Sequence, residues 1–193
     1  ASKGIHTDDT PVEVQAKGRG KTKTGRFWVY LGDGDHPQTV FEYTPTRGRD
    51  GPMDFLAGWG EDGKRYLQAD AFGGYDGIYA GEAGGDVVEV ACWAHARRKF
   101  HEARKSDHRH AARALAYIRL LYDVERDAAR QFTEEQEAAK DGAAEARSLA
   151  EIRLELRRQR SIPVLEEFGE WLEGLLATAG GPVLPKSPLG QAV

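Results

Sequence analysis

Apolar and polar positions change period once along this chain, and the change falls near residue 92. Up to there the apolar residues come in short runs bounded by turn chemistry, which predicts strands. Thr10 to Gln15 alternates crudely. Phe27-Trp28-Val29-Tyr30-Leu31 is aromatic and β-branched and predicts a buried strand, closed by Gly32-Asp33-Gly34-Asp35. Thr39-Val40-Phe41-Glu42-Tyr43 returns beside it, so three antiparallel strands form a meander. Pro52 to Trp59 predicts a short helix, with Pro near its start and Gly60 past its end. Arg65 to Ala69 is the next strand and ends on Asp70. Gly73 to Tyr79 reads as a turn of helix and Val87 to Ala91 as a last strand. The predicted order is β-β-β-α-β-α-β, a mixed sheet of the α/β class with helices on its faces.

Beyond Trp93 the period becomes helical. Leu115, Ile118, Leu121 and Tyr122 space an amphipathic helix. Phe132 to Glu151 holds six acids against two bases and predicts a solvated helical hairpin, broken near Gly142. Ser161 is the expected N-cap of a further helix with Pro163 in its first turn. There Leu165, Phe168, Trp171, Leu172, Leu175 and Leu176 form the expected buried stripe, and Gly180-Gly181-Pro182 stops it. The expected division is therefore 1–92, mixed sheet, and 93–193, helical.

Composition narrows the class. The chain has 193 residues, 40% of them hydrophobic and 30% charged, enough for a sizeable core. Its one cysteine, Cys92, excludes an internal disulfide framework and fits a reducing, cytoplasmic setting. No apolar run approaches the ~20 residues of a membrane span. The start at Ala1, already close to strand-like residues, and the run Leu184 to Val193 at the other end suggest a piece of a longer protein.

Four constellations carry candidate chemistry. Asp8 and Asp70 lie in or directly after strand-like runs, and two carboxylates on neighbouring strands can hold magnesium or manganese and serve phosphoryl transfer. They can equally start a strand and cap a helix. Between Arg97 and His110 there are six Lys or Arg against two acids, a cluster suited either to phosphate contact or to a solvated, ion-paired helix. Cys92 and His95 have a zinc-ligand spacing but no second pair follows, so a buried thiol and a hydrogen-bonded imidazole are the better reading. The loop Lys17 to Arg26 has three glycines and five bases without an acid. It lacks phosphate-loop spacing and reads as a hairpin tip, with or without a DNA backbone against it.

The order of these pieces resembles the central region of the insertion-sequence-66 family of bacterial DDE transposases. The residues that carry the resemblance are His6 to Val12, Gly18 to Tyr30, Leu67 to Asp76, Cys92 to Phe100 and Leu184 to Ala192. The resemblance implies a ribonuclease-H-like core followed by a helical insertion, and magnesium-dependent cleavage and joining of transposon DNA. It implies Asp8 and Asp70 as the first two acids of the catalytic triad and as metal ligands. The implied DNA contacts are Lys21, Lys23, Arg26, His95, Arg97, Arg98 and Lys99. The implied partners are transposon-end and target DNA, a second copy of the chain and accessory transposition proteins, with the protein on the nucleoid when DNA-bound. Two departures stand out. Asp9 occupies a position where the family usually has Glu, and is not the expected ligand. The third acid, a Glu in an Asn-Asn-x-x-Glu-Arg-like segment, has no match in these residues. The rival expectations are a non-catalytic remnant that binds DNA or a transposase partner, a ribonuclease-H-like nuclease of another role, and a structural domain with neither affinity.

Overall fold

The computed structural model describes residues 1–15, 20–140, 146–177, 183–184 and 186–193. Two compact units divide at the change of period, Ala1–Cys92 and Trp93–Val193.

The first unit is a five-stranded mixed sheet in the order β3-β2-β1-β4-β5. Its strands are β1 (Gly4–Gln15), β2 (Thr22–Gly32), β3 (Thr39–Thr44), β4 (Gly60–Ala69) and β5 (Gly85–Ala91). β2 runs antiparallel to β1 and β3, while β4 runs parallel to β1 and β5. Helix α1 (Asp50–Phe55) precedes β4, and a 3-10 turn at Gly73–Tyr75 leads into α2 (Asp76–Tyr79) before β5. The first two strands are longer than their apolar runs. Continuous pairing from Ile5↔Gly32 to Gln15↔Thr22 draws polar residues into the ladder. Lys23 and Arg26, expected at a hairpin tip, therefore lie within β2. Lys17 to Arg19 fall outside the described residues.

One face of the sheet is buried. Trp28, Tyr30, Leu67, Ala69 and Val87 meet Leu56, Tyr75 and Ile78 in a single core. Tyr30 stacks on Phe55 of α1 with ring centroids 3.8 Å apart, and the Trp28 indole donates to Thr44 Oγ1 at 2.7 Å. Strand pleat sends the alternate residues to the opposite face. That face is also apolar: Phe27, Leu31, Tyr43 and Tyr66 are exposed, and Phe41 is 71% exposed.

The second unit is helical: α3 (Trp93–Ala103), α4 (His108–Lys140), α5 (Leu149–Leu156), a π-helical turn (Arg157–Ser161) and α6 (Ile162–Ala177). Alanines 111, 114 and 128 are fully buried on α4 beside Ile118 and Val124, where small side chains let helices approach closely. Phe168 of α6 is the centre of an aromatic cluster with Phe100, Tyr117 and Trp171. Of the expected stripe, Phe168 and Leu175 are buried, Trp171 and Leu172 pack against the core, and Leu165 and Leu176 are exposed.

Two helix starts differ from expectation. Ser161 caps nothing: it is a buried residue inside helical backbone that runs on from α5 through the π turn into α6. Pro163 has no N–H to give the ladder, and the π turn just before it absorbs that loss. The true cap is Ser148, whose Oγ accepts from Glu151 N at 3.3 Å while Glu151 Oε2 accepts from Ser148 N at 2.8 Å, a capping box. The acids of the expected solvated hairpin are also engaged. Glu135 binds Arg147, and further up α4 Glu125 binds Arg157 and Asp127 binds Arg160. Gly142, the expected break, lies outside the described residues.

Candidate acidic site and basic helix

The acidic candidates sit where β1 and β4 run side by side. Parallel pairing runs from Gly4↔Tyr66 to His6↔Gln68; Asp8 follows two residues later on β1, and Asp70 stands one residue past the end of β4. Pleat alternation puts Thr7 and Asp9 on the buried face and Asp8 on the exposed one. Asp8 Oδ1 accepts from the Asp9 backbone N–H at 2.9 Å.

Asp9, set aside by the sequence, is the centre of the local network. Its side chain is 1% exposed, with Arg26 Nη1 donating to Oδ2 at 2.9 Å and Arg47 Nε donating to Oδ1 at 2.8 Å. The same guanidinium extends to Asp70, Nη2 to Oδ2 at 2.9 Å, and lies 4.0 Å over the Phe72 ring. Burial works against the charge on Arg47, yet the hydrogen bonds to Asp9 and Asp70 outweigh it and hold this cation above its ordinary pKa. Behind the acids, the buried Tyr75 hydroxyl lies 3.4 Å from Thr7 Oγ1. Burial pushes that phenol well above its usual range; the hydrogen bond with Thr7 works against the rise, and the negative charges of Asp70, Asp9 and Asp8 add to it.

A divalent cation can be tested against this arrangement. The donors on offer are carboxylate oxygens alone, the hard ligands that magnesium and manganese take. Asp8 and Asp70 suit such an ion in chemistry. Asp9 does not, because both its oxygens are spent on arginines. Among the described residues no group of three or more His, Cys, Asp or Glu is gathered closely enough to hold a metal. The pair is thus at most part of a ligand set. Cys92 is a free, half-buried thiol directly before α3, and His95 lies in the first turn of that helix.

The basic candidates separate by role. Arg97, Arg98 and Lys99 are consecutive and exposed on α3, whose inward side buries Phe100 and Ala103. No ion pair among the described residues engages these three. Lys21 is exposed beside the start of β2, and Lys23 is exposed within it, opposite Val14. Arg26 differs from them, its guanidinium being committed to Asp9. Arg47 carries no sequence signal because it stands in a connection with no periodicity, Thr44-Pro45-Thr46-Arg47-Gly48.

Comparison with known proteins matches the whole chain, residues 1–193, to the family model described as Transposase IS66 family. The chain belongs to the IS66 transposase family. It is similar to the uncharacterized protein y4hP of Sinorhizobium fredii, 31% identical over 186 residues, which cover 89% of this chain and 31% of y4hP. It is also similar to the uncharacterized protein y4qI of the same organism, 26% identical over 200 residues, which cover 98% of this chain and 32% of y4qI. This IS66-family chain spans about a third of the length of those curated relatives. No solved structure matches it. No helix among the described residues is long and apolar enough to cross a membrane.

Proposed function

We propose that this chain is the central part of a DNA transposase catalytic region, a ribonuclease-H-like core with a helical insertion, in which Asp8 and Asp70 hold magnesium or manganese. The observation that supports the reading is the parallel pairing of β1 with β4, whose last pair, His6↔Gln68, lies two residues before each of Asp8 and Asp70. When bound, such an ion supplies Lewis-acid stabilisation of charge on a phosphodiester during cleavage and strand transfer. The protein's share is to fix the two carboxylates on adjacent strands and to keep Asp70 oriented through Arg47. Arg97, Arg98 and Lys99, with Lys21 and Lys23, supply phosphate contacts that place transposon-end and target DNA without reading its sequence. The family's third acid, a glutamate in an Asn-Asn-x-x-Glu-Arg-like segment, has no match in these 193 residues. A second copy and accessory transposition proteins are further partners of the complete assembly.

One observation favours a second reading. Arg47 already offsets the charge of Asp9 and Asp70, as it would in a non-catalytic remnant that keeps its acids for folding and binds DNA or a transposase partner through α3. Calorimetric titration with manganese separates the two, on wild type and Asp70→Asn, each with and without a short duplex. Binding that disappears in Asp70→Asn supports the catalytic reading. DNA binding that survives the substitution, with no metal uptake by either protein, supports the remnant.

A further inference from the structure

Neither Asp9 nor Arg47 has a ligand role in the proposed site, yet they are paired beside it, with the Asp9 side chain 1% exposed. Asp70 lies one residue past the end of β4. A carboxylate there turns readily about its terminal torsion. Arg47 removes that freedom. Its fork spans both acids, Nε on Asp9 Oδ1 at 2.8 Å and Nη2 on Asp70 Oδ2 at 2.9 Å, and Phe72 supports its flat face. Arg26 holds the far oxygen of Asp9, so the anchor is itself anchored. A planar guanidinium makes such a bridge, whereas an ammonium is a point charge on a flexible stem.

We infer that Asp9 and Arg47 are positioning residues: Asp9, clamped between two arginines, fixes Arg47, and Arg47 orients the Asp70 carboxylate toward a divalent cation. This rests on the reading of Asp70 as a ligand. Arg47 engages one oxygen of Asp70 and not the other. Hydrogen-bonded supports of this kind commonly govern metal affinity by ~10–100-fold.

The test uses the 193-residue chain and two readouts. Free manganese, followed by electron paramagnetic resonance, reports affinity in wild type, Arg47→Gln, Arg47→Lys and Asp70→Asn. Both Arg47 variants should bind ~10–100-fold more weakly than wild type, lysine failing to restore what the fork supplied. Unchanged or tighter binding in Arg47→Gln overturns the inference. The second readout needs no metal: thermal midpoints of Arg47→Gln, Asp70→Asn and the double variant. The Arg47→Gln shift should be smaller when Asp70 is already Asn, and strictly additive shifts overturn the inference. If Asp70→Asn takes up as much manganese as wild type, the ligand reading of Asp70 fails. The additivity result then decides by itself whether Arg47 holds Asp70.

Discussion

Arg26 on β2 reaches diagonally across the sheet to Asp9 on β1, Nη1 to Oδ2 at 2.9 Å, because β1–β2 pairing sets Asp9 opposite Trp28, two residues along from Arg26. Diagonal neighbours on one sheet face lie within reach of long side chains. Asp9→Ala would leave this guanidinium and that of Arg47 without their shared acceptor. Both arginines keep some solvent contact, 25% and 33% exposed, so the expected loss is about 1–3 kcal/mol, less than for a fully buried pair. Urea unfolding followed by tryptophan fluorescence measures it. A loss of only a few tenths would mean that water replaces Asp9 at little cost.

Gly85 opens β5 with φ at +95°, and a Cβ there would stand 2.1 Å from the carbonyl carbon of Gly60, its partner on β4. Two costs coincide, a left-handed backbone for an L side chain and a clash with backbone that cannot swing aside. Gly85→Ala should lose about 2–4 kcal/mol in the same unfolding assay. Gly34→Ala, where an added Cβ meets nothing within 4 Å, serves as the control and should change little.

How much of the fold was legible follows from which forces are local. The strands at Phe27–Leu31 and Val87–Ala91 announced themselves by β-branched and aromatic runs, and the sheet with its helices came out as a mixed α/β unit. Which face each residue takes did not. Trp28 is buried and Phe27 exposed, yet both are aromatic, so hydrophobicity could not set the phase of β2. The same ambiguity hid the difference between Asp8 and Asp9, adjacent and chemically identical but on opposite faces. Arg47 is placed by tertiary contacts 23 and 38 residues away, which no local pattern encodes. Helix α4 shows the same limit: Glu135, inside the run that reads as solvated, is bound by Arg147 twelve residues along, and Glu125 and Asp127 nearer the start of the helix find Arg157 and Arg160 more than thirty residues away. The capping box at Ser148 was legible in principle from Ser-x-x-Glu, but the acid-rich run around it masked the signal.

The Glu135–Arg147 pair gives the helical unit a defined acid sensitivity. Hydrogen bonds from the Arg147 side chain, the largest influence, hold the Glu135 carboxyl at about 2, below its ordinary 4.5. A carboxylate whose folded pKa is depressed contributes stability above its unfolded value and loses it as pH falls through the folded one. Wild type should therefore melt above Glu135→Gln near neutral pH. The gap should narrow below about 4.5 and close by about 2. Far-UV circular dichroism melts across that range measure it, and a gap that persists at the acid end would show that the glutamine variant fails for a reason other than charge.

Arg97, Arg98 and Lys99 are the most economical test of nucleic-acid binding, because they are exposed while the α3 core, Phe100 and Ala103, is buried apart from them. Replacing all three by Ala removes charge without opening that core, and alanine keeps the helix. Each neutralised phosphate adds about 0.9 to the slope of log affinity against log salt on duplex DNA. If α3 lies against the DNA backbone, the triple variant should bind unrelated duplexes uniformly more weakly. Its salt slope should fall by about 0.9 for every phosphate that these side chains neutralise in wild type. The same substitution at Lys21 and Lys23 reports separately on the strand end that carries them. Fluorescence anisotropy over a salt series reads both, and an unchanged slope in the α3 variant would remove that helix from the interface.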